Sequence, residues 1–164
     1  MVMFKVAMGL LPVGMLCIAA PAWAQRQEIR NDLSLCASAA SGPAVLVDVR
    51  GFSVATGNVR LQSYPATRAA WLTRGAWLHR IEMPARPSGG AMRFCMPVPE
   101  PGRYGIAVRH DVDGNGKTDL SRDGGGFSNN PGISIFNLGK PSVDKAAFHA
   151  GPGVTKITIN LKYM

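Results

Sequence analysis

Ile157, Ile159, Leu161 and Tyr163 alternate with Lys156, Thr158, Asn160 and Lys162, and this period of two constrains the fold more than any other feature. It gives a β-strand one dry and one wet face and gives a helix neither. The pattern recurs along the chain. Val45, Val47 and Val49 share a face opposite Asp48 and Arg50, and Val59, Leu61 and Ser63 oppose Arg60, Gln62 and Tyr64. Ile81 and Met83 alternate with Arg80 and Glu82, and Met92, Phe94 and Met96 with Arg93 and Cys95. Tyr104, Ile106 and Val108 alternate with Arg103, Gly105, Ala107 and Arg109. Strands with one apolar face each are the mark of antiparallel sheets around a shared core. Turn signals separate the runs, among them Ala55-Thr56-Gly57-Asn58, Arg86-Pro87-Ser88-Gly89-Gly90 and Gly151-Pro152-Gly153. The expected fold is all-β, an antiparallel sandwich of about seven short strands. Prolines at strand entries favour a sandwich with edges over a closed barrel. Only Thr67 to Leu72 could make a helical turn, and Trp71 and Trp77 beside it are either core residues or an exposed platform.

The first 24 residues read as an export signal. Lys5 supplies a positive start, an apolar run spans Val6 to Ala20, and Pro21-Ala22-Trp23-Ala24 ends in an A-x-A cleavage pattern. The run falls short of the roughly 20 apolar residues of a membrane span. Cys17 lacks a small residue directly ahead of it, against a lipid anchor. The expectation is an exported chain, periplasmic or secreted, with no transmembrane segment after cleavage. Residues 25–43 read as a polar leader, Gln25 to Ser34 as loose, and residues 44–164 as one β-sandwich domain. The net charge of +8 is spread along the chain, so it reads as a solvated basic surface. An exported domain has no access to chromosomal DNA, which excludes nucleic acid as a partner. Cys36 and Cys95 remain after cleavage, and an even count in an oxidising compartment predicts a disulfide between them.

From His110 the text reads His-Asp-Val-Asp-Gly-Asn-Gly-Lys-Thr-Asp-Leu-Ser-Arg-Asp. Asp111, Asp113, Asn115 and Asp119 could turn oxygens toward one point, with a carbonyl from Lys117, as calcium requires. Counted from Asp111, Gly116 falls where an EF-hand needs its turn, but the twelfth position is Arg122 where a bidentate glutamate belongs. This is therefore no EF-hand. Asp123 could supply the missing carboxylate only by a different loop path. A weak calcium site is one reading; the other is a metal-free turn whose carboxylates accept backbone N–H groups. No G-x-S-x-G, H-E-x-x-H or phosphate-binding G-x-x-x-x-G-K is present, so the chain reads as a non-enzyme. His79, His110 and His149 fall in separate expected strands, and His110 could orient Asp111.

The stretch between His110 and Asp144 is too long for an ordinary hairpin. Phe127, Ile133, Ile135, Phe136 and Leu138 could pin it down as an ordered loop. Within it, Phe127-Ser128-Asn129-Asn130-Pro131 has two readings. Amides beside an aromatic ring could recognise sugar hydroxyls or peptide backbone, or the asparagines could initiate a turn with Phe127 as a plug.

Three segments together resemble a known family: Pro101-Gly102-Arg103-Tyr104-Gly105-Ile106-Ala107-Val108-Arg109-His110-Asp111, then Asp113-Gly114-Asn115-Gly116-Lys117-Thr118-Asp119, then Gly126-Phe127-Ser128-Asn129-Asn130. Asp144-Lys145-Ala146-Ala147-Phe148 and the last strand fit the same pattern. The chain is similar, from about Ala44 to Tyr163, to the uncharacterised bacterial family known as domain of unknown function 2141. The resemblance implies a small exported β-sandwich of transthyretin-like or immunoglobulin-like character, and it implies no activity.

The sequence thus predicts an exported binding module whose site is one loop end. Asp111, Asp113, Asn115, Lys117 and Asp119 would hold calcium or stiffen the loop. His110, Phe127, Asn129 and Asn130 would face an envelope or extracellular partner, a protein or a polysaccharide. Two alternatives stay open, a structural envelope protein without a ligand and a hydrolase that uses a carboxylate of the loop as general base.

Overall fold

A computed structural model describes residues 27–38, 42–132 and 139–164. The expected export segment (1–24) and Ile133, Ile135, Phe136 and Leu138 of the long loop lie outside the described residues. No helix among the described residues is long and apolar enough to cross a membrane.

Every alternating run named above is extended, and the last of them divides into two strands. In chain order the strands are β1 (Gln27–Glu28), β2 (Ala44–Arg50), β3 (Asn58–Pro65), β4 (His79–Pro84), β5 (Ala91–Pro97), β6 (Gly102–Asp111), β7 (Gly124–Phe127), β8 (Phe148–Ala150), β9 (Val154–Asn160) and β10 (Lys162–Tyr163). A short 3-10 helix covers Leu33–Cys36, and one α-helical turn, α1, covers Val143–Ala146. The larger sheet has the order β1-β4-β3-β6-β7-β10, with β8 on the free part of β6, and the smaller has the order β5-β2-β9.

The layers close as the alternation demands. Val45, Val47, Val49, Phe94, Met96 and Ile159 come from the small sheet, and Val59, Leu61, Ile81, Ile106 and Val108 from the large one. All are buried in one core, each contributing about 1.5–3 kcal/mol. The strand directions depart from expectation, because the sheets are mixed. β2 is antiparallel to β5 but parallel to β9, with Val47 beside Ile157, and β1 is parallel to β4. A period of two carries no direction, and a parallel neighbour needs a long crossover. Here β3 to β8 lie between β2 and β9 in the chain.

The cleanest alternating run also changes sheets. Ile157 and Ile159 lie in β9; the Leu161 amide then donates to Arg50 O at 2.8 Å, and Lys162 and Tyr163 pair with β7. Residues 27–36 are not a loose leader. Gln27 and Ile29 donate to Leu78 O and Arg80 O on the large sheet. Asn31 bonds Arg93 O and the Cys95 amide on β5, and Cys36 is disulfide-bonded to Cys95. The leader therefore joins the edges of both sheets.

A second, smaller core covers the outer face of the large sheet. Tyr64, Trp71, Phe127, Val143 and Ala146 form it. Trp71 lies over Gly105, where any Cβ would sit 2.4 Å from its ring, and its Nε1 donates to Pro141 O at 2.9 Å. The expected helical turn is a single one, the Trp71 amide donating to Thr67 O at 2.9 Å. Trp71 is thus core and no platform.

Candidate functional site

β6 and β7 pair antiparallel with His110 beside Gly124, so the chain leaves at Asp111 and returns at Asp123 to the same spot. The excursion between them is the acidic loop. Its register decides which acids meet: ligand oxygens of Asp111, Asp113 and Asp123 lie within 4.8 Å of one another. Asp111 and Asp123 are buried and Asp113 is exposed. Asp119, expected in the set, is taken up by local bonds, and Asn115 meets the group as a donor, its Nδ2 bonding Asp113 Oδ2 at 2.8 Å. Asn115 Oδ1 accepts from the Lys117 amide at 2.6 Å, and Asp119 Oδ1 accepts from the Ser121 amide and hydroxyl. Lys117 enters through that N–H. The return path through Asp123 replaces Asp119, because the hairpin register sets the feet of the loop together.

The carboxylates are already engaged. Asp111 accepts from the amides of Asn115 (3.2 Å) and Gly116 (2.8 Å) and from Arg109 (3.2 Å). Asp113 accepts from the Asn115 amide, from its side chain and from Arg122. Asp123 accepts from the amides of Val112 and Asp119. A carboxylate offers about four lone-pair directions, so each keeps at least one. Hydrogen bonds from the Asn115 amide hold the Asp113 carboxyl below its ordinary range. Bonds from Ser121 do the same for Asp119.

The four residues expected to face a partner all make intramolecular contacts that serve the fold. β6 alternation turns His110 inward, where it is fully buried. Its Nε2 donates to Thr56 O at 2.7 Å, and Nδ1 lies 2.6 Å from the Tyr163 hydroxyl, which also accepts from the Ser53 amide. His110 thus ties the end of the chain and the 51–57 loop to β6. Phe127 packs against Trp71, ring centroids 5.9 Å apart. Asn129 and Asn130 both have left-handed backbone, at φ 61° and 48°, which asparagine tolerates better than most residues. Asn129 donates to Ala147 O. Asn130 donates to Thr158 O and accepts from the Asn160 amide, so its side chain pairs with β9 as a peptide group would. Buried Ser128, to which the sequence assigned no role, accepts from the Ile106 amide and donates to Ala146 O. This Gly-Phe-Ser-Asn-Asn stretch is a clasp between β6, β9 and the segment after α1.

A second feature lies beside the loop and was not legible in the sequence. Across the outer face of the large sheet the pairings line up Lys162, Gly125, Arg109, Arg60 and Glu82 in one row. The next row holds Phe127, Ala107 and Gln62. A groove of about 260 Å³ runs over them, walled by Thr118, Asp119, Leu120 and Asp123 of the acidic loop and by Leu72 and Lys140. Arg60 is paired with Glu82 at 2.8 Å and Arg109 with Asp111 at 3.2 Å. The Nε of Arg109 is buried without a partner.

The match that carries family membership spans the acidic loop and most of the groove. A family described as an uncharacterised protein conserved in bacteria (DUF2141) matches residues 47–158. The chain belongs to this family. The DUF2141 match opens inside β2 and closes inside β9, so it takes in the acidic loop and the clasp. It leaves out Cys36, Lys162 and Tyr163. No curated protein and no solved structure matches the chain.

Proposed function

We propose that this DUF2141 chain is an exported binding module, not an enzyme, and that Asp111, Asp113 and Asp123 hold a calcium ion at the foot of its acidic loop. One observation carries the reading: three carboxylate oxygens lie within 4.8 Å of one another, and oxygens bound to one calcium at 2.3–2.6 Å span about that distance. Three carboxylates fall short of the six to eight oxygens calcium takes, so carbonyls and water complete the shell. The affinity expected is that of extracellular modules, about 0.1–1 mM. Export is supported by the pattern of the first 24 residues and by the Cys36–Cys95 bond, which persists in oxidising compartments. Binding is favoured over catalysis because the exposed carboxylates Asp113 and Asp119 are held below their ordinary range. A general base near neutrality needs the opposite shift.

An observation of equal concreteness favours the second reading, a structural envelope protein with no metal. Every carboxylate of the loop already accepts N–H groups, and Arg109 and Arg122 already offset two of the charges. Thermal melting with calcium separates the two. At about 10 mM calcium and a dissociation constant near 1 mM, a ligand that binds only the folded chain adds about 1.4 kcal/mol. Magnesium at the same concentration is expected to add less, because it demands near-octahedral geometry and dehydrates reluctantly. No shift with calcium leaves the metal-free turn as the answer.

A further inference from the structure

We propose that the groove over the Lys162–Gly125–Arg109–Arg60 row binds a small amphiphilic carboxylate, a monoanion with an apolar body. The inference is independent of calcium. The floor of this groove is built unlike the rest of the sheet. In the Gly124-Gly125-Gly126 run, a Cβ on Gly124 would lie 2.6 Å from the Tyr163 ring and one on Gly126 would lie 2.7 Å from Ile159. Both glycines are required by packing on the inner side. Gly125 is on the outer side, and a Cβ there would meet nothing within 4 Å. A side chain at Gly125 would therefore cost no packing and would fill the floor of the groove. Glycine within a strand weakens it and marks close approach of another group, and at this position no group of the protein makes that approach.

The lining states what the approaching group must be. Of its four cations, Arg60 and Arg109 are paired, but neither Lys140 nor Lys162 has an acid in ion-pair contact among the described residues. The acids on the loop wall form no ion pair with either lysine among the described residues. Asp123 is turned to the amides of Val112 and Asp119, and Asp119 to Ser121. Two ammonium groups without an ion-pair partner among the described residues offer an anion its contacts. Apart from Gln62, Tyr64 and Thr118, the rest of the lining is apolar. Leu120 and Met164, two of the five large hydrophobic residues exposed among the described residues, both line the groove, with Leu72, Ala107 and Phe127. At about 260 Å³ the space falls just below the usual range of ligand sites, which starts at roughly 300 Å³, so the ligand is small. A carboxylate at the lysines with an alkyl or aryl body over Gly125 and Phe127 satisfies both halves of the lining.

Octanoate is the probe, titrated calorimetrically into the purified chain with its disulfide intact and in EDTA, so that loss of the calcium reading leaves the test unaffected. Saturable binding is expected, with octanol about tenfold weaker or worse. The double substitution Lys140→Gln with Lys162→Gln should weaken octanoate by about tenfold or more. Gly125→Val should abolish binding and raise the melting temperature, which shows that the variant is folded. Absence of octanoate binding up to about 10 mM, octanol binding as well as octanoate, or undiminished binding by Gly125→Val would each overturn the proposal.

Discussion

Asp111→Asn tests the loop most sharply, because Asp111 joins the sheet, the loop and the cation cluster. The carboxylate is 1% exposed and accepts three bonds, from the amides of Asn115 and Gly116 and from Arg109. Asparagine has nearly the same shape but only one oxygen. Whichever way its amide turns, an NH2 group faces an N–H donor, so one charge-assisted bond is lost and a donor is left buried. That costs about 1.5–3 kcal/mol. Arg109, 16% exposed, also loses its acid but keeps Thr118 Oγ1 and Gly116 O, so the ion-pair loss is discounted to about 1 kcal/mol. The expected total is about 3 kcal/mol, or roughly 10 °C in melting temperature for a domain of this size. Urea unfolding of the oxidised chain in EDTA measures it. Repeated in about 10 mM calcium, the wild type should gain about 1.4 kcal/mol and the variant almost nothing. A cost below about 1 kcal/mol, or a calcium gain that survives the substitution, would refute the reasoning.

Opening the Cys36–Cys95 bond, whose ends are 59 residues apart, should cost about 4 kcal/mol in the chain-entropy model; urea midpoints of the chain and of its double Cys→Ser variant measure it. Burial holds the His79 imidazole below its ordinary range, against an opposing bond to Pro97. The folded chain therefore binds that proton less readily than the unfolded chain, and stability should fall as pH drops below about 6.5. His79→Gln should flatten that part of the melting profile. Arg60 holds the Glu82 carboxyl below its ordinary range through their hydrogen bond. This contribution is present above about pH 4.5 and is lost as pH falls through the lower folded value; acid titration of Glu82→Gln should lack that step. Gly126→Ala should destabilise by about 1–3 kcal/mol, because its methyl meets Ile159; a neutral result by calorimetry would mean that β7 and β9 shift apart easily.

Most of the fold was legible because the period of two is a local signal. Each alternating run became a strand, and the paired cysteines became a bridge. β7 escaped notice because Gly124-Gly125-Gly126 has no side chains to alternate. The acidic loop was legible as a cluster but not in its membership. Asp111 and Asp113 were read correctly as neighbours, whereas Asp123 in place of Asp119 follows from the β6–β7 register, which no spacing records. His110 and the two asparagines looked like recognition residues because their polarity was visible and their intramolecular partners, Tyr163, Thr56, Ala147 and β9, were not.

The sequence by itself determined which residues are dry, where the chain turns and which stretch concentrates negative oxygens, since each of these depends on near neighbours in the chain. Tertiary structure alone decided that β9 runs parallel to β2 and that a row of cations with a glycine gap crosses four strands of the large sheet. Lys162, Gly125, Arg109 and Arg60 are distant in the chain and become neighbours only through strand register, and it is that register which hollows the groove beside the acidic loop.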